Sequence, residues 1–144
     1  MTDIVESFQL DHRKVKAPYV RKADRLVGPR GDVVTKFDLR FLQPNAGALP
    51  TGAIHTLEHL LAVYLREELE GVIDLSPMGC RTGFYLILFG EQEEERVKGA
   101  LVWALQRVLD ATDVPAANEI QCGHYRDHSL SGAKEYARMI LAAL

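Results

Sequence analysis

Residues 54–61 read IHTLEHLL, and this stretch decides how the rest of the chain is interpreted. In an α-helix each residue turns about 100° from the last, so His55 and His59 stand one above the other with Glu58 beside them. Apolar side chains recur on the far side of the same helix, where we expect them to pack on a core: Leu57, Leu60, Leu61 and Tyr64. The sequence therefore predicts that one face of this helix packs on the core and that the other face carries the functional side chains.

The paired histidines indicate a metal site. Two histidines at i and i+4 can both reach one divalent metal, and the neighbouring glutamate can move protons at whatever the metal binds. A catalytic site usually has three protein ligands and an open position. Candidates for the third ligand are Cys122, Cys80, His124 and His128. The alternatives are a surface helix with incidental histidines, a Cys122 that is merely a small buried residue, and a separate cluster built on the spacing from Cys122 to His128.

Composition bounds the class of protein. The chain has 144 residues, 47% of them hydrophobic and 26% charged, which is ordinary for a globular domain. A net charge of −3 gives no reason to expect nucleic acid or an anionic membrane as partner. No apolar run approaches the length of a membrane span. Two cysteines and no recognisable export signal favour the cytoplasm. We expect one cytoplasmic domain over residues 1–144.

The pattern of elements predicts an α+β fold. Alternation from Val33 to Phe41 is typical of a strand, and the central helix is expected to have Thr51 as its N-cap and to end near Gly71. The other predicted elements are an irregular arm with some extended structure (1–32), strands at 72–75 and 84–89, a helix after the acidic run 91–95, a short extended piece at 119–122 and a terminal helix from Ser131. This order favours a mostly antiparallel sheet with helices packed on one face.

Cys80 lies on a tight glycine-flanked loop between two predicted strands. A cysteine at such a turn can be exposed and reactive, particularly near a cation such as Arg81 or a bound metal. The alternative is a loop residue chosen for its size. Ser7 and His12 are polar residues of the arm with no evident role of their own, and Arg40 is on the polar strand face, where an arginine is normally solvated.

Several motifs, taken together, resemble one known family. They are residues 54–61 (IHTLEHLL), 76–80 (SPMGC), 37–41 with 43–45 (FDLRF and QPN), 115–119 leading to 121–123 (PAANE and QCG), and 6–8 with 10–12 (ESF and LDH). They occur in this order in the LuxS family of S-ribosylhomocysteine lyases. The resemblance covers essentially the whole chain.

The resemblance implies a role for each motif residue. His55, His59 and Cys122 would hold one divalent metal per subunit, and Cys80 and Glu58 would be the acid/base pair. It implies that Ser7, His12 and Arg40 surround the ribose. It also suggests that Asp74 and Arg66 contact the amino-acid end of the substrate. His124 and His128 have no ligand role in this picture.

The same resemblance implies cofactor, partners and products. Iron(II) is the expected metal, with zinc or cobalt as alternatives that suit two histidines and a thiolate. A homodimer is expected, with active sites at its interface and the arm of one subunit reaching into the site of the other. The products would be homocysteine and 4,5-dihydroxy-2,3-pentanedione, linked to the methyl cycle and to autoinducer-2 in quorum sensing.

Two other functions remain open at this point. His55-x-x-Glu58-His59 is also the inverted zincin motif of a metallopeptidase class, in which the glutamate activates water and a downstream glutamate is the third ligand. A non-catalytic zinc-stabilised module is the second alternative, and a fourth protein ligand on the metal would favour it.

Overall fold

The structure is a computed structural model that describes residues 5–144. Within those residues the chain forms four helices and four strands. In chain order they are α1 (Glu6–Gln9), β1 (Tyr19–Val27), β2 (Val33–Arg40), α2 (Thr51–Glu68), β3 (Val72–Pro77), β4 (Gly83–Phe89), α3 (Glu94–Asp110) and α4 (Leu130–Ala143). No helix among these residues is long and apolar enough to cross a membrane.

The strands form one antiparallel sheet in the order β1-β2-β4-β3. The two central strands are β2 and β4. The run 84–89 of β4 is apolar on both faces, which is typical of a central strand. Helices α2, α3 and α4 pack on one another, and α2 also packs on β3. The predicted α+β fold with helices on one face of the sheet is confirmed.

The two faces of β2 have different surroundings. Phe37 and Leu39 are fully buried and belong to the core that includes the apolar residues of α2, α3 and α4. Successive side chains of a strand point to opposite faces, so Asp38 and Arg40 lie on the face away from the helices. Tyr85 pairs with Asp38 and shares that face, which we call the open face of the sheet.

Helix α2 is held by its apolar stripe. Leu57, Leu60, Leu61 and Leu65 are at most 1% exposed. Burying one leucine side chain contributes roughly 1.5–3 kcal/mol, so the stripe fixes the orientation of the helix and leaves the opposite face with His55 and Glu58 partly accessible.

The predicted irregular arm with some extended structure is partly right, but it missed the length and regularity of one strand. Residues 1–4 lie outside the described residues, but Tyr19–Val27 is a nine-residue edge strand paired with β2. The charged residues that hid its periodicity bind other elements: Arg21 contacts Glu6, and Lys22 and Arg25 contact Glu91.

Two smaller predictions also fail. The segment 119–122 is a turn and not an extended piece, and its Cys122 N–H donates to the Asn118 carbonyl at 3.0 Å. Thr51 is the first residue of α2, after Pro50, and makes no cap; its hydroxyl contacts Asp127 instead. The helix ends at Glu68, and Gly71 lies in the following turn with φ of 75°.

Candidate metal centre and active site

Four side chains converge at one point beside α2. The ligand atoms of His55, His59, Cys122 and His128 all lie within 4.8 Å of one another. Cys122 Sγ is their common neighbour, at 3.4 Å from Nε2 of His55, 3.8 Å from Nε2 of His59 and 3.7 Å from Nε2 of His128. The structure thus brings together the three predicted ligands, and His128 joins them.

Helix geometry and one turn assemble this group. His55 and His59 are one turn apart on α2, with ring centroids 4.8 Å apart. Cys122 comes from the loop after α3, where the Asn118 side chain accepts hydrogen bonds from the backbone of Ile120 and Gln121. This Asn-centred turn brings a residue far along the chain back to the helix.

Backbone carbonyls fix which ring nitrogen carries the hydrogen in the two helix histidines. His55 Nδ1 lies 2.8 Å from the Asp127 carbonyl, and His59 Nδ1 lies 2.7 Å from the Pro115 carbonyl. A carbonyl only accepts, so each Nδ1 carries the hydrogen and each Nε2 presents its lone pair towards Cys122. Both rings are therefore oriented as metal ligands.

His128 occupies the fourth corner, although the resemblance gave it no role as a ligand. Its ring stacks on His55 with centroids 3.8 Å apart, and its Nδ1 lies 2.9 Å from the Thr56 hydroxyl. Burial, and then the charges of His55 and His59, lower the pKa of His128 to about 4. His124 is exposed and lies outside the group.

These side chains fit one divalent metal. Two imidazole nitrogens and a thiolate, with a third imidazole nearby, are the donors that zinc, iron and cobalt accept, and their spacing is that of a single coordination sphere. The hydrogen bonds from the ring Nδ1 atoms to carbonyls are the second set of contacts that such histidines normally have.

A cleft of about 360 Å³ opens beside the metal group. Glu58 and His59 line it from α2, and Asp74 and Ser76 line it from β3. Arg66 also lines it and donates to the carbonyls of Ala62 and Ile73. We call this the metal cleft.

A second cleft, of about 290 Å³, holds the other predicted residues. Its lining includes Ser7, His12, Arg40, Cys80 and Tyr85. We call it the cysteine cleft. Among the described residues, the two clefts share no lining residue, so Glu58 and Cys80 lie in different clefts of the same chain.

Arg40 is buried and not solvated, contrary to what its strand position suggested. It is 2% exposed and makes two hydrogen bonds to the fully buried Asp38, through Nε at 3.1 Å and Nη2 at 3.0 Å. Burial opposes the charged guanidinium, but the hydrogen bonds and charge of Asp38 outweigh it and raise the pKa of Arg40. Asp38 also binds Arg21, which binds Glu6 next to Ser7.

Arg81, suggested by the sequence as a cation near Cys80, makes its hydrogen bond elsewhere. The Arg81 guanidinium donates to the Leu49 carbonyl at 3.1 Å. The contact of Cys80 Sγ is instead the Thr82 hydroxyl, at 3.1 Å, and Thr82 in turn contacts Arg40. Sequence reasoning missed Thr82 and Asp38, because nothing in a strand's alternation shows that a polar face will be covered.

Fold and site together define a class of protein. A small α+β domain carries a His-His-Cys metal group on one helix and one turn, with a carboxylate in the adjoining cleft and a cysteine in a second cleft. This arrangement is typical of a metal-dependent enzyme.

Comparison with known proteins identifies the family. The sequence profile described as "S-Ribosylhomocysteinase (LuxS)" matches residues 5–144. The chain is 64% identical over 137 residues to "S-ribosylhomocysteine lyase" of Clostridium botulinum, a match that covers 95% of this chain and 91% of that protein. It is 61% identical over 140 residues to the protein of that name from Thermus thermophilus, covering 96% and 90%. The chain belongs to the LuxS family.

Proposed function

We propose that this protein is an S-ribosylhomocysteine lyase, which cleaves S-ribosylhomocysteine to homocysteine and 4,5-dihydroxy-2,3-pentanedione. The observation that carries the proposal is the convergence of His55, His59 and Cys122 beside the cleft that holds Glu58, in a member of this family. The role of each residue below is part of the same proposal.

The chemistry of the substrate dictates what the site must do. Homocysteine is attached through a thioether at C5 of the ribose, and expelling the sulfur requires an acidic hydrogen on C4. That hydrogen is acidic when C3 is a carbonyl, whereas the sugar begins with its carbonyl at C1. The carbonyl must therefore move from C1 to C2 and then to C3 before the β-elimination, and each step removes a proton from a carbon next to a carbonyl.

The metal and two side chains divide this work. When bound, one divalent metal per subunit, with iron(II) expected and zinc or cobalt as alternatives, supplies the Lewis acidity that stabilises negative charge on the sugar oxygens. The Cys80 thiolate transfers protons between carbons. Glu58, at the metal cleft, transfers the hydroxyl protons and assists the final elimination.

The remaining cleft residues bind the substrate. Ser7, His12 and Arg40 surround the ribose in the cysteine cleft. Asp74 offers a carboxylate to the ammonium group of homocysteine, and Arg66, which lines the same cleft, offers a guanidinium to its carboxylate.

A homodimer with active sites at its interface accounts for the two clefts. The acid/base pair belongs to one reaction, yet Glu58 and Cys80 line different clefts of one chain. The open face of the sheet carries an exposed apolar row, in which Leu26 pairs with Val34 and Val34 pairs with Phe89; Leu26 and Phe89 are each 56% exposed. Such a patch is typical of an interface. The proposed dimer uses this patch and combines the cysteine cleft of one subunit with the metal cleft of its partner.

The cellular role follows from the reaction. Both cysteines are free, which favours the reducing cytoplasm. Release of homocysteine returns it to the methyl cycle, and the dione is the precursor of the autoinducer-2 signal in quorum sensing.

One observation favours a second candidate, the non-catalytic zinc-stabilised module. His128 lies within the ligand group and would complete four protein ligands. The lyase is preferred because a purely structural site has no use for the adjoining cleft with Glu58. The peptidase alternative requires a downstream glutamate as third ligand, and here Cys122 takes that place.

An anaerobic assay tests the proposal. Purified protein is loaded with iron(II) or cobalt(II) and mixed with S-ribosylhomocysteine, and free homocysteine is followed with a thiol reagent against a blank without substrate. We expect metal-dependent release of thiol that is lost on chelation. No release from folded, metal-loaded protein would overturn the lyase and direct the work to the structural zinc site.

A further inference from the structure

One side chain connects the sulfur of Cys80 to the buried guanidinium of Arg40. Thr82 Oγ1 lies 3.1 Å from Cys80 Sγ and 3.1 Å from Arg40 Nη1. Thr82 is 3% exposed, so water does not compete for its hydroxyl. The reaction steps proposed above give this threonine no role.

The chemistry of the guanidinium fixes the direction of the bond to Thr82 and leaves the threonine hydroxyl hydrogen available to the sulfur. A guanidinium has no acceptor, so Arg40 donates to Thr82 Oγ1. Asp38 accepts hydrogen bonds from Nε and Nη2 of Arg40, and this leaves Nη1 facing the threonine. The single hydroxyl hydrogen of Thr82 is then left for the Cys80 sulfur.

The backbone holds Thr82 in this place independently of Cys80. Its carbonyl accepts hydrogen bonds from the N–H groups of Phe41 at 2.8 Å and Leu42 at 3.0 Å. The next residue, Gly83, is paired with Arg40, and a Cβ there would lie 2.2 Å from the Leu39 carbonyl oxygen. The close approach of the two strands therefore sets the distance between the threonine and the guanidinium.

We propose that Thr82 is a positioning residue that favours the thiolate form of Cys80 by donating its hydroxyl hydrogen to the sulfur. A thiolate can only accept, so it takes the hydroxyl hydrogen in a charge-assisted bond, whereas a thiol, which is both a weak donor and a weak acceptor, gains less from the same contact. Donation by Arg40 polarises the hydroxyl and strengthens the bond that it donates.

The network around Arg40 is neutral as a whole, which makes the hydroxyl more important. Arg40 and Arg21 are balanced by Asp38 and Glu6, which are linked to them by ion pairs. The effect of Thr82 on Cys80 is therefore carried by the orientation of one hydroxyl. His12 and Tyr85 also line the cleft, and they are the same in every Thr82 variant. That Cys80 is the base rests on the proposed function, but the stabilisation of its thiolate does not.

The rate at which iodoacetamide alkylates Cys80 measures the thiolate directly. The metal-loaded protein is alkylated over a series of pH values, and the modified Cys80 peptide is quantified by mass spectrometry so that Cys122 does not contribute. For Thr82→Val, which keeps the shape and removes the hydroxyl, we expect a profile displaced to higher pH and alkylation about tenfold slower at neutral pH, the effect of losing one hydrogen bond to a charged group. Thr82→Ser, which keeps the hydroxyl, should stay within about threefold of the unchanged protein.

Two outcomes would overturn the inference. One is a Thr82→Val profile equal to that of the unchanged protein. The other is a Thr82→Ser variant slowed as much as Thr82→Val, since the methyl group and not the hydroxyl would then matter. If the valine variant unfolds, Thr82→Ala and Thr82→Ser form a pair that also differs by the hydroxyl and is judged by the same difference.

The alkylation measurement needs no turnover and therefore separates this inference from the lyase itself. A displaced profile in a protein that releases no homocysteine leaves the inference standing and rejects the proposed function. If the enzyme is active but the Thr82→Val profile is not displaced, the inference is rejected and the proposed function stands.

Discussion

Asp38 and Arg40, two residues apart on β2, form an ion pair that is almost completely removed from water. The carboxylate is 0% exposed and the guanidinium 2%, and two hydrogen bonds join them. The same carboxylate also receives the Tyr19 hydroxyl at 2.7 Å and the Arg21 guanidinium at 3.1 Å. Arg40, which lines the cysteine cleft, therefore belongs to one connected polar network.

Replacing Asp38 should destabilise the fold strongly. In Asp38→Asn the buried Arg40 loses its counter-charge, and breaking a buried pair in this way costs about 3–5 kcal/mol of the free energy of unfolding. Urea denaturation followed by circular dichroism measures the loss. Asp11 and Arg13 are a matched control, because they have the same spacing but an arginine that is 86% exposed, and Asp11→Asn should change stability little. Equal effects of the two variants would contradict the prediction.

Substituting each cysteine in turn should distinguish the loss of catalysis from the loss of metal binding. Cys80→Ala should abolish release of homocysteine while the metal stays bound, because Cys80 is not among the clustered ligand atoms. Cys122→Ala removes the sulfur shared by the histidines and should lose the metal. Metal content after dialysis, measured beside thiol release, tests both. An active Cys80→Ala enzyme would show that another group is the base.

A side chain at position 83 should disrupt the start of β4. In Gly83→Ala the new Cβ meets the Leu39 carbonyl oxygen at 2.2 Å, a contact with backbone that no side-chain rotation relieves. We expect a loss of about 1–3 kcal/mol in the free energy of unfolding, the usual cost of overpacking. Gly99, on the exposed side of α3 with open space around its Cβ position, is the control: Gly99→Ala should stabilise by about 0.5–1 kcal/mol. A Gly83→Ala protein as stable as the parent would disprove the close approach.

Stability should decline at alkaline pH through Tyr19. Burial first, then the hydrogen bond to Asp38 and its charge, raise the pKa of Tyr19 to about 12, against about 10 in an unfolded chain. Between these values the folded protein retains a proton that the unfolded chain has lost, so this contribution to stability is complete below the lower pKa and is lost as pH rises towards the higher one. Urea denaturation across this range should show a shallower decline for Tyr19→Phe than for the unchanged protein. Parallel declines would assign the alkaline loss to other groups.

Local patterns in the sequence predicted the three long helices and three of the strands well. The stripe of α2, the alternation from Val33 to Phe41 and the apolar run of β4 each follow from one face, or both, being buried. These signals lie within one element. The proximity of His55, His59 and Glu58 was predictable for the same reason, since α-helical geometry alone sets it.

What sequence reasoning missed depends on contacts between distant segments. β1 was placed in an irregular arm with some extended structure because its charged residues conceal the alternation. Their partners are Glu6 in α1 and Glu91 in the loop after β4, both distant in the sequence. His128 was one candidate for the third ligand, and the resemblance then gave it no ligand role. Its approach to the metal group depends on the turn after α3 and on Thr56, which local patterns do not show. The burial of Arg40 was hidden likewise, because β1 and α1 supply the residues that enclose its network.

The separation of Glu58 and Cys80 into two clefts has a genetic consequence if sites form between subunits. A protein with Cys80→Ala and one with Glu58→Gln would each be inactive alone, yet a mixed dimer would contain one site with an intact Glu58 from the first chain and an intact Cys80 from the second. Co-expressed in one cell, two dead alleles would thus restore part of the activity, at most about a quarter of the sites if subunits pair at random. Damage in one cleft could then be complemented by a copy damaged in the other.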